Sequence, residues 1–120
     1  MTLENLQMIA SDGPRAGQRI LRMKGPLSLH TVFEFQNQLR AETSANIIID
    51  FSGVPFIDSA GLGGLVGVLV SAQKARRKLL FAAMNPQVIT LLEMTRTRSL
   101  FTVYSTLQEA EAAPLRGAEL

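Results

Sequence analysis

Two continuous apolar runs, residues 47–49 and 79–83, are the clearest hydrophobic pattern along the chain. Both are too short for a helix, and runs without polar alternation are typical of strands buried on both faces of a sheet. Between them, apolar residues recur at helical spacing: Leu62, Leu65, Val66 and Leu69. The pattern therefore predicts a strand, a helix and a second strand, the unit from which parallel sheets are built.

A hairpin is predicted ahead of this unit. Residues 6–10 and 19–24 alternate between apolar and polar side chains, and a loop containing glycine and proline, residues 11–17, lies between them. Gly25 and Pro26 end the second strand, because proline has no N–H group to donate to a sheet.

Three pairs of residues mark the starts of further helices: Thr31 with Glu34, Asn85 with Pro86, and Thr106 with Glu109. The Thr–Glu pairs have the spacing of a capping box, and Asn followed by Pro suits an N-cap and a first helical position. A turn is predicted over residues 52–55 and a short strand over 100–104, with the last helix ending at Pro114 and the tail frayed from about there. This order of elements predicts an α/β fold, a mixed four- or five-stranded sheet with about four helices.

Length and composition suit a single domain over residues 1–120. The absence of cysteine excludes disulfides and thiolate metal sites. Twelve basic and ten acidic residues nearly cancel, so the sequence pI of about 9.5 does not indicate a nucleic-acid partner. The first residues lack the basic stretch of a signal peptide, and the longest uncharged run, residues 59–73, is shorter than the ~18 residues of a membrane span. We expect a cytoplasmic domain with no membrane span and no nucleic-acid partner.

A serine with an acid beside it lies where the long apolar helix begins, in the sequence Asp58-Ser59-Ala60-Gly61. The first turn of a helix has free N–H groups and a positive dipole end, so it accommodates an anion. Enzymatic constellations are missing: His30 is the only histidine, Ser59 lacks a G-x-S-x-G context, and the glycine run lacks the spacing and the acid of a dinucleotide-binding loop. We therefore expect no catalytic activity, no metal and no cofactor.

Four glycines lie within this helix: Gly61, Gly63, Gly64 and Gly67. Each costs up to ~1 kcal/mol relative to alanine, so some group must need to approach the backbone closely. Tight packing within the chain is one explanation, and a bare surface on which a partner lies is the other. Gly63, Gly67 and Val70 share a stripe outside the core stripe, which favours the contact surface.

The basic run at residues 74–78 is predicted to close the helix, because positive charge suits a C-terminal dipole end. A phosphate-binding site is the alternative explanation for this run. We favour a solvated helix end.

The sequence of residues 47–62, IIIDFSGVPFIDSAGL, resembles the signature of the STAS domain, in particular that of bacterial anti-sigma factor antagonists. Weaker matches extend the resemblance over about residues 6–112: Gly25-x-Leu27, Asn85-Pro86-x-Val88, and Thr106 with Glu109-Ala110. It implies helices largely on one side of the sheet and a role in sigma-factor-dependent transcription. It also implies that an anti-sigma factor with a GHKL-type serine kinase fold binds the unphosphorylated protein and phosphorylates Ser59, and that a PP2C-type phosphatase reverses this.

The partner surface implied by the resemblance joins the loop before the first helix to the start of the glycine-bearing helix: Leu27, Ser28, Asp58, Ser59, Ala60, Gly61, Leu62, Gly63 and Gly67. Two departures from the family pattern bear on it. Many antagonists carry G-E-L-D where this chain has Gly25-Pro26-Leu27-Ser28, so two acids are lost from the loop. The third helix usually ends on Thr-Gly-Leu, and Thr95-Arg96-Thr97 supplies no glycine, so we expect a reshaped, more basic loop.

Other functions stay open from the sequence alone. One is a STAS scaffold subunit that docks on an ABC-transporter ATPase without phosphorylation. Another is a small-ligand or nucleotide-binding domain that holds a phosphate at the helix N-terminus. The apolar helix face also permits a homodimer.

Overall fold

The fold is that of a computed structural model, which describes residues 5–116. The strands are β1 (Gln7–Asp12), β2 (Gln18–Lys24), β3 (Asn46–Gly53), β4 (Lys78–Ala82) and β5 (Val103–Tyr104). The helices are α1 (Val32–Ala41), α2 (Ser59–Lys74), α3 (Pro86–Met94) and α4 (Leu107–Glu111), with a 3-10 turn at Arg98–Leu100. The predicted α/β class and the number of elements are confirmed.

The five strands form one mixed sheet in the order β1-β2-β3-β4-β5. β1 pairs antiparallel with β2, as the predicted hairpin requires, and the remaining neighbours are parallel. Helices therefore connect β2 to β3, β3 to β4 and β4 to β5, which places the start of α2 at the edge of the sheet where β3 ends.

Helices cover both faces of the sheet, three on one face and one on the other. Ile47 and Ile49 pack in a core with α1, α2 and α3, whereas Ile48 packs in a second, smaller core with Leu80 and Ala110 of α4. Successive strand residues point to opposite faces, so a strand covered on both sides needs an unbroken apolar run. The prediction that β3 and β4 are buried on both faces, with most helices on one side, is confirmed.

Two of the three predicted helix caps are confirmed. The Asn85 side chain accepts a hydrogen bond from the Val88 N–H at 2.9 Å, and the Thr106 hydroxyl accepts one from the Glu109 N–H at 3.1 Å. The capping box at Thr31 is wrong, although α1 begins directly after this residue. The buried Thr31 hydroxyl instead accepts from the N–H of Ser28 and donates to the carbonyl of Pro26, which fixes the loop before α1.

Several boundaries differ from the predicted ones. β3 continues through Gly53, so the turn begins later than residue 52. β5 is shorter than predicted, because residue 100 belongs to a 3-10 turn and only Val103 and Tyr104 pair with β4. α2 ends at Lys74, and Lys78 already belongs to β4. α4 ends at Glu111, before Pro114.

The tail is held at its first residues. The Arg116 N–H donates to the Asn46 side chain at 2.6 Å, so the predicted fraying does not start at residue 114. The rest of that tail, residues 117–120, lies outside the described residues, as do residues 1–4, on which the prediction of no signal peptide was based.

The loop after α3 forms a regular helix cap without glycine. Arg96 has a left-handed backbone, with φ of 59°, and donates from its N–H to the Glu93 carbonyl, while the Thr97 N–H donates to the Leu92 carbonyl at 2.9 Å. These two bonds define a Schellman motif, in which the left-handed position is usually glycine. The predicted reshaping of this loop is therefore wrong: arginine adopts the conformation that glycine would, as Arg76 does after α2.

Arg96→Gly is expected to raise the free energy of unfolding by about 0.5–1 kcal/mol, because glycine adopts the left-handed conformation without the Cβ clash that arginine has. Urea unfolding monitored by circular dichroism measures the change. Arg96→Ala is the matched control, since it removes the charge but keeps the Cβ atom. A gain in Arg96→Ala as large as that in Arg96→Gly would mean that charge, not backbone strain, is responsible.

Candidate functional site

Asp58 connects the start of α2 to the loop that precedes α1. One carboxylate oxygen accepts from the Gly61 N–H at 2.8 Å and caps α2, and the other accepts from the Leu29 N–H at 3.1 Å. The backbone reinforces this connection, because the Asp58 N–H donates to the Leu27 carbonyl. The predicted acid beside the serine is thus a cap that fixes two segments, and its carboxylate is directed at backbone amides.

Ser59 is the first residue of α2, and its side chain is exposed. Within residues 5–116 its hydroxyl makes no hydrogen bond, and neither do the N–H groups of Ser59 and Ala60. A phosphate on this hydroxyl would meet two free N–H donors and the positive end of a sixteen-residue helix. The carboxylate of the preceding residue, Asp58, has the same sign as the phosphate and would repel it.

The four glycines of α2 fall into two pairs with different surroundings. A Cβ atom built on Gly61 would lie 2.1 Å from the Leu27 carbonyl oxygen, and one on Gly64 would lie 2.0 Å from a methyl group of Val32. These two glycines let the loop and α1 pack on α2. A Cβ atom on Gly63 would meet nothing within 4 Å, and one on Gly67 only the Gln36 amide at 3.6 Å. Packing within the chain therefore explains one pair and leaves Gly63 and Gly67 as open, exposed backbone.

Other chemistry is sparse among the described residues. His30 is exposed, and residues 5–116 contain no group of three or more His, Asp or Glu side chains that could hold a metal ion. In the same range, no helix has both the length and the apolar composition that crossing a bilayer requires.

The family model of the STAS domain matches residues 6–110 of the chain. The chain belongs to the STAS domain family. The sequence resemblance is thus confirmed over nearly the whole described fold.

Solved structures share this fold at low sequence identity. An anti-sigma factor antagonist from Mycobacterium paratuberculosis is 21% identical with a TM-score of 0.76, covering 88% of this chain and 90% of that one. A sulfate transporter family protein from Wolinella succinogenes is 22% identical with a TM-score of 0.69, covering 82% and 84%. The phosphorylated form of the Bacillus cell fate determinant SpoIIAA is 17% identical with a TM-score of 0.63, covering 88% and 95%. At these identities the similarity establishes the fold alone.

Part of the predicted partner surface lies beneath the surface of this STAS domain. Leu27 is 0% and Ser28 is 8% exposed, and Gly61 is also buried, so their side chains or Cα atoms are not available to a partner. Asp58, Ala60 and Leu62 are half-buried, and Ser59, Gly63 and Gly67 are exposed. The buried residues support the site from within: the Leu27 backbone bonds to both Phe56 and Asp58.

The sequence did not identify three exposed apolar residues in the segments that meet at the start of α2. Leu29 is 60%, Phe33 is 67% and Phe56 is 46% exposed. The Leu29 backbone N–H bonds to Asp58, Phe33 lies in the first turn of α1, and Phe56 is three residues before Ser59. The hydrophobic periodicity of α1 indicated that Phe33 is exposed, because Phe35 and Leu39 lie on the core face of the helix and Phe33 does not. Leu29 and Phe56 lie in loops, where no periodic pattern identifies an exposed residue. We call Leu29, Phe33, Phe56, Ser59 and Gly63 the Ser59 surface.

Proposed function

We propose that this STAS domain is an anti-sigma factor antagonist whose binding is switched by phosphorylation of Ser59. In this proposal the unphosphorylated domain binds an anti-sigma factor with a GHKL-type serine kinase fold and so releases a sigma factor for transcription. The kinase phosphorylates Ser59 and dissociates, and a PP2C-type phosphatase restores binding. The domain itself is a cytoplasmic, non-enzymatic regulator without a metal, a cofactor or a nucleic-acid partner.

The observation that carries this proposal is the position of the Ser59 hydroxyl, exposed at the first residue of α2 and beside open backbone at Gly63. A kinase needs such an accessible hydroxyl. Family membership and the similarity to an antagonist and to a phosphorylated cell fate determinant support the same function.

Phosphorylation at this position adds charge without disturbing the core. A phosphate group has a charge of about −1.5 to −2 at neutral pH. The free N–H groups of Ser59 and Ala60 stabilise it, which offsets repulsion by the Asp58 carboxylate one residue away. The change in free energy is therefore concentrated in the complex, where a dianion on a surface that also exposes Leu29, Phe33 and Phe56 would have to be desolvated.

The loop before α1, in which many antagonists have two acids, exposes an apolar residue in this chain. Pro26, Leu27 and Ser28 are all buried, and the residue that follows them at the surface is the apolar Leu29. We therefore propose that the partner presents apolar groups to the Ser59 surface at this point, where an acidic loop would call for basic ones.

The test is the intact mass of the full chain after incubation with ATP and a candidate anti-sigma factor kinase. We expect one phosphate on the wild-type chain and none on Ser59→Ala. Phosphate on both chains would mean that another residue is modified and would contradict the role of Ser59. A stable complex with an ATPase in which no phosphate is ever added would instead support the scaffold function.

A further inference from the structure

A cleft lies between α1 and α2 at the end of α2 that is far from Ser59. Its volume is about 370 Å³, within the range of small-molecule sites in proteins. The floor is formed by core side chains at the start of β3 and β4 and on both helices: Leu39, Ile47, Val68, Ala72 and Leu79. The residues of α2 that line it begin at Gly67, eight residues after Ser59, so the cleft starts about 12 Å from Ser59 along the helix.

The cleft stays open because α2 presents small side chains to α1 there. Gly67, Ser71, Ala72 and Ala75 line it from α2, whereas Gly64 one turn earlier is in contact with Val32. The helices therefore touch near their N-termini and leave an apolar space towards their C-termini.

Two arginines border this apolar space. Arg77 reaches across the end of the cleft and donates one hydrogen bond, at 2.5 Å, to the backbone carbonyl of Glu42 after α1. Arg40 lines the cleft from α1 and bonds only to the Asn37 side chain. Neither guanidinium forms an ion pair within residues 5–116. The basic run at 74–78 is thus not wholly a solvated helix end, because Arg77 belongs to the cleft.

The carboxylate of Glu42, whose backbone carbonyl accepts from Arg77, is already engaged. Both oxygens of Glu42 accept from Arg19, at 2.9 and 3.3 Å, and this bond, with a second one to Asp12, raises the pKa of the Arg19 guanidinium. No acidic side chain lines the cleft in the described part of the chain. The cleft therefore combines an apolar floor with two uncompensated positive charges.

The charged residues at the ends of α1, α2 and α3 are distributed in the same way, with basic residues on the side of the cleft. The helix ends on the side of the cleft carry Arg40, Lys74, Arg76, Arg77 and Arg96, with Glu42 and Glu93 as the acids at those ends. The ends on the side of Ser59 carry Glu34 and Asp58 and no basic residue in the first turns of α1, α2 and α3. Although the net charge of the chain is small, the C-terminal ends of these helices form a basic region that attracts anions.

We infer that the cleft between α1 and α2 binds an anionic amphiphile, an acyl chain that ends in a carboxylate or a phosphate. The chain would cover Leu39, Val68 and Ala72, and the head would bind Arg40 and Arg77, since guanidinium pairs with both kinds of anion. The C-terminal ends of α1 and α2 repel an anion, so these arginines must supply the attraction. The source of the ligand is either a free acid or a bilayer lipid, which share this chemistry.

The test is a titration of the full chain with decanoate below its micelle concentration, followed by amide chemical shifts in NMR. We expect saturable binding at one site, with shifts at Gly67, Ser71 and Ala72, and about tenfold weaker binding of the uncharged decanol. Arg40→Gln should weaken decanoate binding about three- to tenfold, and Ala72→Phe, which fills the cleft, should abolish it. Arg22→Gln is the matched control, because this exposed arginine lies on β2 away from the cleft.

Further arms separate the possible sources of the ligand. Binding to phosphatidylglycerol vesicles that is lost in Ala72→Phe would identify a bilayer lipid, and binding of decanoate without vesicle binding would identify a free acid. Vesicle binding that is unchanged in Ala72→Phe would attribute the interaction to the basic end alone and overturn the cleft site. Equal decanoate affinity in all variants, or no saturation, would also overturn it. Because Ala72→Phe overpacks a partly buried position, its thermal unfolding is measured first, and Arg40→Gln carries the test if that variant is unfolded.

Discussion

Ser59→Asp is expected to weaken binding to the anti-sigma factor by at least about a hundredfold, equivalent to about 3 kcal/mol, while the domain stays folded. The carboxylate resembles the phosphate in sign and position, although it has a smaller charge and fewer oxygens. It would be buried in the complex against the exposed apolar residues Leu29, Phe33 and Phe56. An unpaired charge at an interface costs several kcal/mol, mostly through faster dissociation.

The free domain should tolerate the same substitution. Position 59 is the first residue of α2, where an acid is favoured by the helix dipole, and the wild-type hydroxyl makes no hydrogen bond within residues 5–116 that would be lost. We expect the free energy of unfolding to change by less than about 1 kcal/mol. Thermal unfolding and surface plasmon resonance with the partner measure the two effects separately.

Two variants control this prediction. Ser59→Ala should bind as the wild-type chain does, because it removes only the hydroxyl. Ser71→Asp puts a new acid on an exposed position of the same helix, about 18 Å away, and should leave partner binding unchanged. Equal affinity of Ser59→Asp and Ser59→Ala would remove Ser59 from the switch, even with the fold and family as established.

The sequence predicted those parts of the fold that depend on local or periodic patterns. The apolar runs that become β3 and β4 are buried on both faces in any arrangement that covers a parallel sheet, so they were identifiable. Asn85 caps α3 through a bond to the residue three positions on, which local sequence is sufficient to predict.

Features that depend on tertiary neighbours were not predictable in this way. Thr31 has capping-box spacing, but the loop turns back so that Ser28 and Pro26 take both of its hydrogen bonds. Leu27 is buried because it forms a parallel bridge to Ile57, a residue thirty positions away in the chain. Arg96 has a left-handed backbone that its side chain does not favour, so nothing in its sequence indicated a regular cap.

The roles of the glycines in α2 also depend on tertiary neighbours and could not be separated from the sequence. All four have the same cost in a helix, and their spacing alone favoured an exposed contact surface. The positions of α1 and of the loop before it decide that Gly61 and Gly64 serve packing, leaving Gly63 and Gly67 open. Packing within the chain therefore explains Gly61 and Gly64, and a partner contact at Gly63 and Gly67 stays a prediction.

Gly61→Ala is expected to be the most destabilising small substitution in α2. The new Cβ atom would lie 2.1 Å from the Leu27 carbonyl oxygen and 2.8 Å from its carbon, both backbone atoms that cannot rotate away. Hydrogen bonds to Phe56 and Asp58 hold that backbone in place, so α2 must shift or the loop must detach. Such overpacking costs about 2–3 kcal/mol, which would lower Tm by about 10 °C in a domain of this size.

Gly63→Ala, two residues later in the same helix, is the matched comparison and should have the opposite effect. Nothing lies within 4 Å of its Cβ position, so alanine should raise the free energy of unfolding by up to ~1 kcal/mol through helix propensity. Thermal unfolding of both variants measures the contrast, which we expect to be about 3 kcal/mol. If Gly63→Ala is destabilised, the space around position 63 is not open. If Gly61→Ala is tolerated, the loop at Leu27 is free to move.

The stabilised variant also tests why glycine stands at position 63. If a partner lies on this bare backbone, the added methyl group should weaken its binding about tenfold although the free domain is more stable. A single substitution would then stabilise the domain and weaken its complex. This result is expected where glycine is retained for binding and not for folding. Unchanged partner affinity in Gly63→Ala would place the contact elsewhere on the Ser59 surface, with Leu29, Phe33 and Phe56 as the residues that carry it.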